Sequence, residues 1–105
     1  MKRAKKYEDH KYAKLREFNY AKTYLESAIE EYHSDHNRAA FLLALRDLVE
    51  AQGGIADFSE KIHLSRQALY KSLSPAGNPR FETLDNVLNR LGFQFTVEPL
   101  KKKHV

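Results

Sequence analysis

The sequence predicts a small, mainly α domain that ends in one short C-terminal β-strand. Three observations predict it. Apolar residues recur at three- and four-residue spacing in several successive segments, as on amphipathic helices. Gly and Pro number only 4 and 3 in 105 residues, too few for the many turns of an all-β fold. One segment, Phe93-Gln94-Phe95-Thr96-Val97, alternates with period two and is closed by Pro99. The length suits one domain with its own core. A content of 42% hydrophobic and 30% charged residues excludes a disordered chain.

Residues 1–19 show no clean period and read as a mobile basic and aromatic arm carrying Tyr7, Tyr12, Leu15 and Phe18. The folded domain is expected over 20–98. Thr23-Tyr24-Leu25-Glu26 fits a capping box, in which the Thr hydroxyl and the Glu carboxylate satisfy amides at a helix start. Tyr24, Leu25, Ala28, Ile29 and Tyr32 follow at one-face spacing. Ser34-Asp35-His36-Asn37 breaks this helix, and Asn37 is suited to cap the next. That helix, Arg38 to Gln52, is apolar nearly all round, so a second face needs cover; the 23–32 helix or a dimer partner can supply it. Gly53 suits the positive φ after its end.

A short helix follows from Ile55 to Ile62, with Ile55, Phe58 and Ile62 on one face. Ser65 caps another, Arg66 to Ser72, with Leu69 and Leu73 inward, and Pro75 stops it. The last helix runs from Phe81 to Leu91 on the stripe Phe81, Leu84, Val87, Leu88 and Leu91, and Gly92 ends it. The strand over Phe93–Val97 needs a hydrogen-bond partner. The same strand of a second copy is self-complementary about a two-fold axis; packing on the chain's own helices is the alternative. Residues 99–105 read as a basic tail.

Zero Cys excludes disulfides, thiolate metal sites and a thiol nucleophile. No apolar run approaches the roughly 18 residues of a membrane span, and no apolar stretch follows the basic start as in a signal peptide. The expectation is a cytoplasmic protein with no membrane partner. No Ser/His/Asp set or carboxylate pair has catalytic context, so no enzyme activity and no cofactor are expected. His33-x-x-His36 with Asp35 has ligand-like residue types but no second set of ligands, and no metal site is expected there.

Charge is uneven. Residues 1–22 hold eight Lys/Arg against three acids, residues 23–63 three against eight, and residues 64–105 seven against three. Basic stretches suit nucleic acid, and an acidic block suits a basic partner or simply water.

The pair 55–62 and 66–73 has the pattern of a helix-turn-helix: two short helices, a tight turn and buried residues at fixed offsets. Phe58, Ile62, Leu64 and Leu69 supply the buried set. Ser59 is the small residue at the close approach, and His63 occupies the turn position that adopts the left-handed conformation. A second helix of this kind meets base edges with its N-terminal residues. Arg66, Gln67, Tyr70 and Lys71 fall on that face beside Ser65. Arg can bond guanine in pairs, Gln adenine, and Tyr a thymine methyl or a phosphate. Ser72, Ser74, Asn78 and Arg80 are candidates for phosphate.

The run from Gly54 to Phe81, above all LSRQALYKSLSPAGNPRF at Leu64–Phe81, resembles the HigA-type addiction-module antidotes (antitoxins) with an XRE/Cro-like helix-turn-helix. The resemblance reaches forward to YLESAIEEY at Tyr24–Tyr32 and back to LGFQFTV at Leu91–Val97. It implies a repressor that binds double-stranded operator DNA of its own operon as a homodimer and also binds a RelE-like, mRNA-cleaving toxin. The dimer is expected through Phe93, Gln94, Phe95, Thr96 and Val97. The toxin is expected on Tyr24, Glu26, Glu30 and Glu31 with the adjoining Phe18, or on the arm. The alternative is a stand-alone XRE-type transcriptional regulator without a toxin.

Overall fold

Six helical segments follow one another in the computed structural model, which describes residues 10–100. They are α1 over 10–15, α2 (Phe18–Asp35), α3 (Arg38–Ala51), α4 (Gly54–Lys61), α5 (Arg66–Ser72) and α6 (Phe81–Leu91). No described residue is in a strand.

Helix α3 explains its own composition. It packs against α2, α4 and α6, which together cover most of its apolar residues, while Leu43 stays 49% exposed. Leu42, Leu45, Leu48 and Val49 are fully buried there. Each such side chain contributes about 1.5–3 kcal/mol by leaving water. Asn37 caps it as expected, its Oδ1 accepting from the Ala40 N–H at 3.1 Å.

The N-terminal half differs from the expected layout. Helix α2 begins at Phe18, five residues before the Thr23 capping box, and its N-cap Glu17 makes no side-chain cap bond. Burial of Ala21 and Leu25 carries the helix through Thr23, and packing overrides the local signal. The described part of the arm, residues 10–19, is not loose: 10–15 are helical and Leu15 is 1% exposed in the core. Residues 1–9, with Tyr7, and residues 101–105 of the tail lie outside the described residues.

Polar contacts fasten this half to α3. The Tyr24 hydroxyl donates to Asp47 Oδ2 at 2.9 Å, and Lys11 Nζ lies 3.0 Å from the same oxygen. Burial, and then the bonded Asp47 carboxylate, hold the Tyr24 phenol protonated far above its ordinary range. Arg16 Nε donates to the Ala51 carbonyl at 2.9 Å, and Gln52 Nε2 to the Leu15 carbonyl at 3.1 Å. These bonds satisfy carbonyls where α1 and α3 end.

The chain turns between α3 and α4 at Gly53, whose φ is 136°; a Cβ there would sit 2.7 Å from Asp57 Oδ2. Glu50 Oε1 accepts from the Ile55 N–H at 3.2 Å and so caps α4 from the preceding helix. Asp57 also lies 3.5 Å from Lys61 Nζ and 3.8 Å from Arg90 Nη2, linking α4 to α6.

Two expectations at the C-terminal end are corrected. Phe81, assigned to the inward stripe of α6, is 69% exposed, because it stands in the first turn, where α6 leaves the core. The strand expected over Phe93, Gln94, Phe95, Thr96 and Val97 is not formed. A lone extended segment has no ladder to join within this chain. Its contacts are instead one backbone bond to α6 and aromatic stacking on α2 and α6. The Phe93 N–H bonds the Leu88 carbonyl at 2.8 Å. The Phe93 ring stacks on Phe18 at 5.2 Å, and Phe95 stacks on Phe81 at 5.0 Å.

Candidate nucleic-acid interface

The surface built by α4, its turn and α5 rests on three local devices. Phe58 at 1% and Leu69 and Leu73 at 0% exposure fix the inner faces of the two helices. His63 takes φ 61° and the Leu64 N–H then bonds the Ser59 carbonyl at 2.9 Å, which turns the chain within four residues. Ser59 is buried at this approach, its Oγ donating to the Ala56 carbonyl. Ser65 Oγ accepts from the Ala68 N–H at 3.0 Å and caps α5.

With Leu69 turned inward, the outward side of α5 is polar. Arg66, Gln67, Tyr70 and Lys71 are all exposed on it, Tyr70 at 56%. Contact there orders side chains but little backbone, because the helix that carries them is already formed.

The loop after α5 is held by its backbone. Ser74 Oγ donates to the Lys71 carbonyl at 2.7 Å, and the Gly77 N–H to the Ser74 carbonyl at 2.8 Å. Gly77 is required by close approach: an added Cβ would collide with the Ser72 carbonyl. Ser72 is half-buried, while Asn78 and Arg80 are exposed. Arg80 is the N-cap residue of α6 and makes no side-chain cap bond.

Two residues that sequence reasoning did not single out join this surface. Arg46 of α3 lies over the Tyr70 ring, its Cζ 5.2 Å from the centroid. Arg38, at the start of α3, reaches Asn78 Oδ1 at 3.5 Å. They are the only cations of α3, which is the signal the sequence offered.

The residues assigned to a protein partner lie elsewhere, on α2. Glu26 and Glu31 are exposed, and Glu26 is engaged by Lys22 at 2.8 Å. Glu30 is exposed on the same helix. The Tyr24 hydroxyl is committed to Asp47, and Phe18 to Phe93. A groove between α2 and α3 is lined by Ala28, Glu31, Tyr32, Phe41, Leu43 and Ala44. His33 and His36 are both exposed: His36 packs edge-on to Tyr32 at 5.1 Å, and Asp35 accepts from the Asn37 N–H. Among the described residues no three His, Asp or Glu side chains are grouped as for a metal. No described helix is long and apolar enough to cross a membrane.

A family model described as "Probable addiction module antidote protein" matches residues 5–99. A protein of Haemophilus influenzae (strain ATCC 51907 / DSM 11121 / KW20 / Rd), described as uncharacterized, is 34% identical over 70 residues, which span 67% of this chain and 71% of its own. No solved structure matches the chain.

Proposed function

The chain belongs to the addiction module antidote family, and from that premise we propose that it is a HigA-type antitoxin with an XRE/Cro-like helix-turn-helix. It binds double-stranded operator DNA as a homodimer to repress its own operon, and it neutralises a RelE-like, mRNA-cleaving toxin by direct contact. It acts in the cytoplasm and has no catalytic role of its own. The observation that carries the DNA half is the outward row Arg66, Gln67, Tyr70 and Lys71 on α5, held rigid by buried Leu69 and capped by Ser65. In this reading Arg66 and Gln67 meet base edges, Tyr70 and Lys71 adjoin them, and Ser72, Ser74, Asn78 and Arg80 meet phosphates.

The dimer reading is supported by apolar exposure at the C-terminal end. Val97 is 94% exposed, Leu100 78% and Phe95 44%. Pairing of residues 93–97 with a second copy supplies the ladder partner that one chain lacks. It spaces two copies of α5 by about one DNA turn, roughly 34 Å. The toxin reading is supported by the exposed acids of α2, which complement a partner that must bind RNA phosphate.

A fluorescence titration of a duplex taken from immediately upstream of the gene tests the DNA reading. Arg66→Ala should weaken binding by about 1–3 kcal/mol and relax base preference at one position per half-site. Arg80→Ala should weaken binding to every sequence alike. Wild-type binding by Arg66→Ala overturns the assignment of α5.

A further inference from the structure

We propose that the DNA surface extends beyond α4 and α5 onto α3, where Arg38 and Arg46 each hold a backbone phosphate. The inference rests on the reading of α5 as the base-contacting helix. Its starting point is a division among the cations. Lys11, Lys22, Lys61 and Arg90 each lie within 4 Å of a carboxylate. Among the described residues, seven cations have no carboxylate within 4 Å: Lys14, which lies over the Tyr20 ring, Arg16, which bonds the Ala51 carbonyl, and Arg38, Arg46, Arg66, Lys71 and Arg80. The unpaired cations include those of α5 and its following loop, and the two from α3 touch that same surface. Cations left uncompensated attract phosphate and release its counterions on contact.

The geometry of each arginine suits that task. Arg46 is half-buried, and its guanidinium rests 5.2 Å above Tyr70. Stacking on a ring restrains the planar fork and leaves its N–H edges free for two oxygens. It also props the Tyr70 ring from the α3 side. Arg38 makes one long bond, 3.5 Å, to Asn78, itself a phosphate candidate. Of the five guanidinium donors, four stay free. Helix α3 is the most deeply packed element of the fold, so both arginines are carried on a base that does not yield when DNA docks.

Salt dependence separates a phosphate contact from a structural role, because only the former changes the number of ions released. The upstream duplex and an unrelated duplex of equal length are titrated at several salt concentrations with wild-type protein, Arg38→Gln, Arg46→Gln and the double variant. Lys22→Gln, on α2 and already paired with Glu26, is the control. Each single variant should flatten the slope of log affinity against log salt by about 0.9 on both duplexes, and the double by about 1.8. Equivalently, raising salt from about 50 to about 200 mM should cost each single variant roughly 3.5-fold less affinity than it costs the wild type. Unchanged slopes in both variants, with Arg66→Ala still losing preference for the upstream duplex, overturn the α3 contacts and leave the α5 reading standing. A wild-type protein that binds neither duplex overturns both.

Discussion

The α4–α5 surface and the α1–α2 half are stabilised in opposite ways. Around α5 the fixing bonds are short in sequence: Ser65 caps the amide three residues on, His63 sets the turn, and Ser74 closes on Lys71. Around α1 and α2 they are long: Tyr24 to Asp47, Arg16 to Ala51 and Gln52 to the Leu15 carbonyl. The shape of that surface is set within α4 and α5, while buried Phe58, Leu69 and Leu73 tie it to the common core. A half held by distant bonds depends on α3 and fails with it. The difference suits the proposed division, with DNA on the α5 face and a toxin on α2.

The largest change expected from breaking this comparison comes from an α5 residue of the common core. Leu69→Ala empties a fully buried site and should cost about 2–5 kcal/mol in denaturant unfolding, with α5 and the rest unfolding together. If α5 alone frays at unchanged global stability, the surface is less tied to the core than its burial indicates.

Asp47→Ala sharpens the contrast. It strips the Tyr24 hydroxyl and the Lys11 ammonium of their common acceptor and should cost about 1–3 kcal/mol. Hydrogen exchange should quicken in α1 and α2 while α5 keeps its protection. The same clasp gives a pH signature. The folded state holds the Tyr24 phenol protonated above its ordinary pKa near 10. The stabilisation is therefore complete below about pH 10 and is lost as pH rises further, since the unfolded chain then releases the proton first. Tyr24→Phe should remove that part of the alkaline decline, read as melting temperature against pH.

Smaller effects belong to the local devices. Ser65→Ala should cost about 1 kcal/mol and weaken DNA binding by fraying the start of α5. His63→Gly should gain a few tenths to about 1 kcal/mol, because a non-glycine residue at φ 61° carries strain that glycine does not. Loss of stability in His63→Gly would mean that the imidazole makes a contact that outweighs the strain.

The same contrast explains what the sequence revealed. Asn37, Ser65 and Gly92 mark helix ends within three or four residues of the groups they serve, so α3, α5 and α6 were legible nearly to the residue. The start of α2 was not, because burial of Ala21 and Leu25 outweighs the Thr23 capping box. Leu15 read as part of a loose arm because the core it joins lies on distant helices. Period-two alternation at 93–97 describes an extended segment but names no partner, and a strand needs one. The row on α5 was legible because one helix presents it. Arg46 over Tyr70 and Arg38 against Asn78 were not, because each pair meets only after α3 packs beside α5 and its loop.

In the proposed function, DNA and toxin occupy separate surfaces of one small fold. The most direct measurement pairs two full-length variants against both partners: Arg66→Ala, and Glu30→Lys with Glu31→Lys. Binding to the upstream duplex and to the product of the neighbouring toxin gene is titrated for each. Arg66→Ala should lose the duplex and keep the toxin, while the paired lysine variant should keep the duplex and bind the toxin weakly. Loss of both partners by Arg66→Ala, with the lysine variant binding toxin like the wild type, would contradict it and place the toxin on the α5 face.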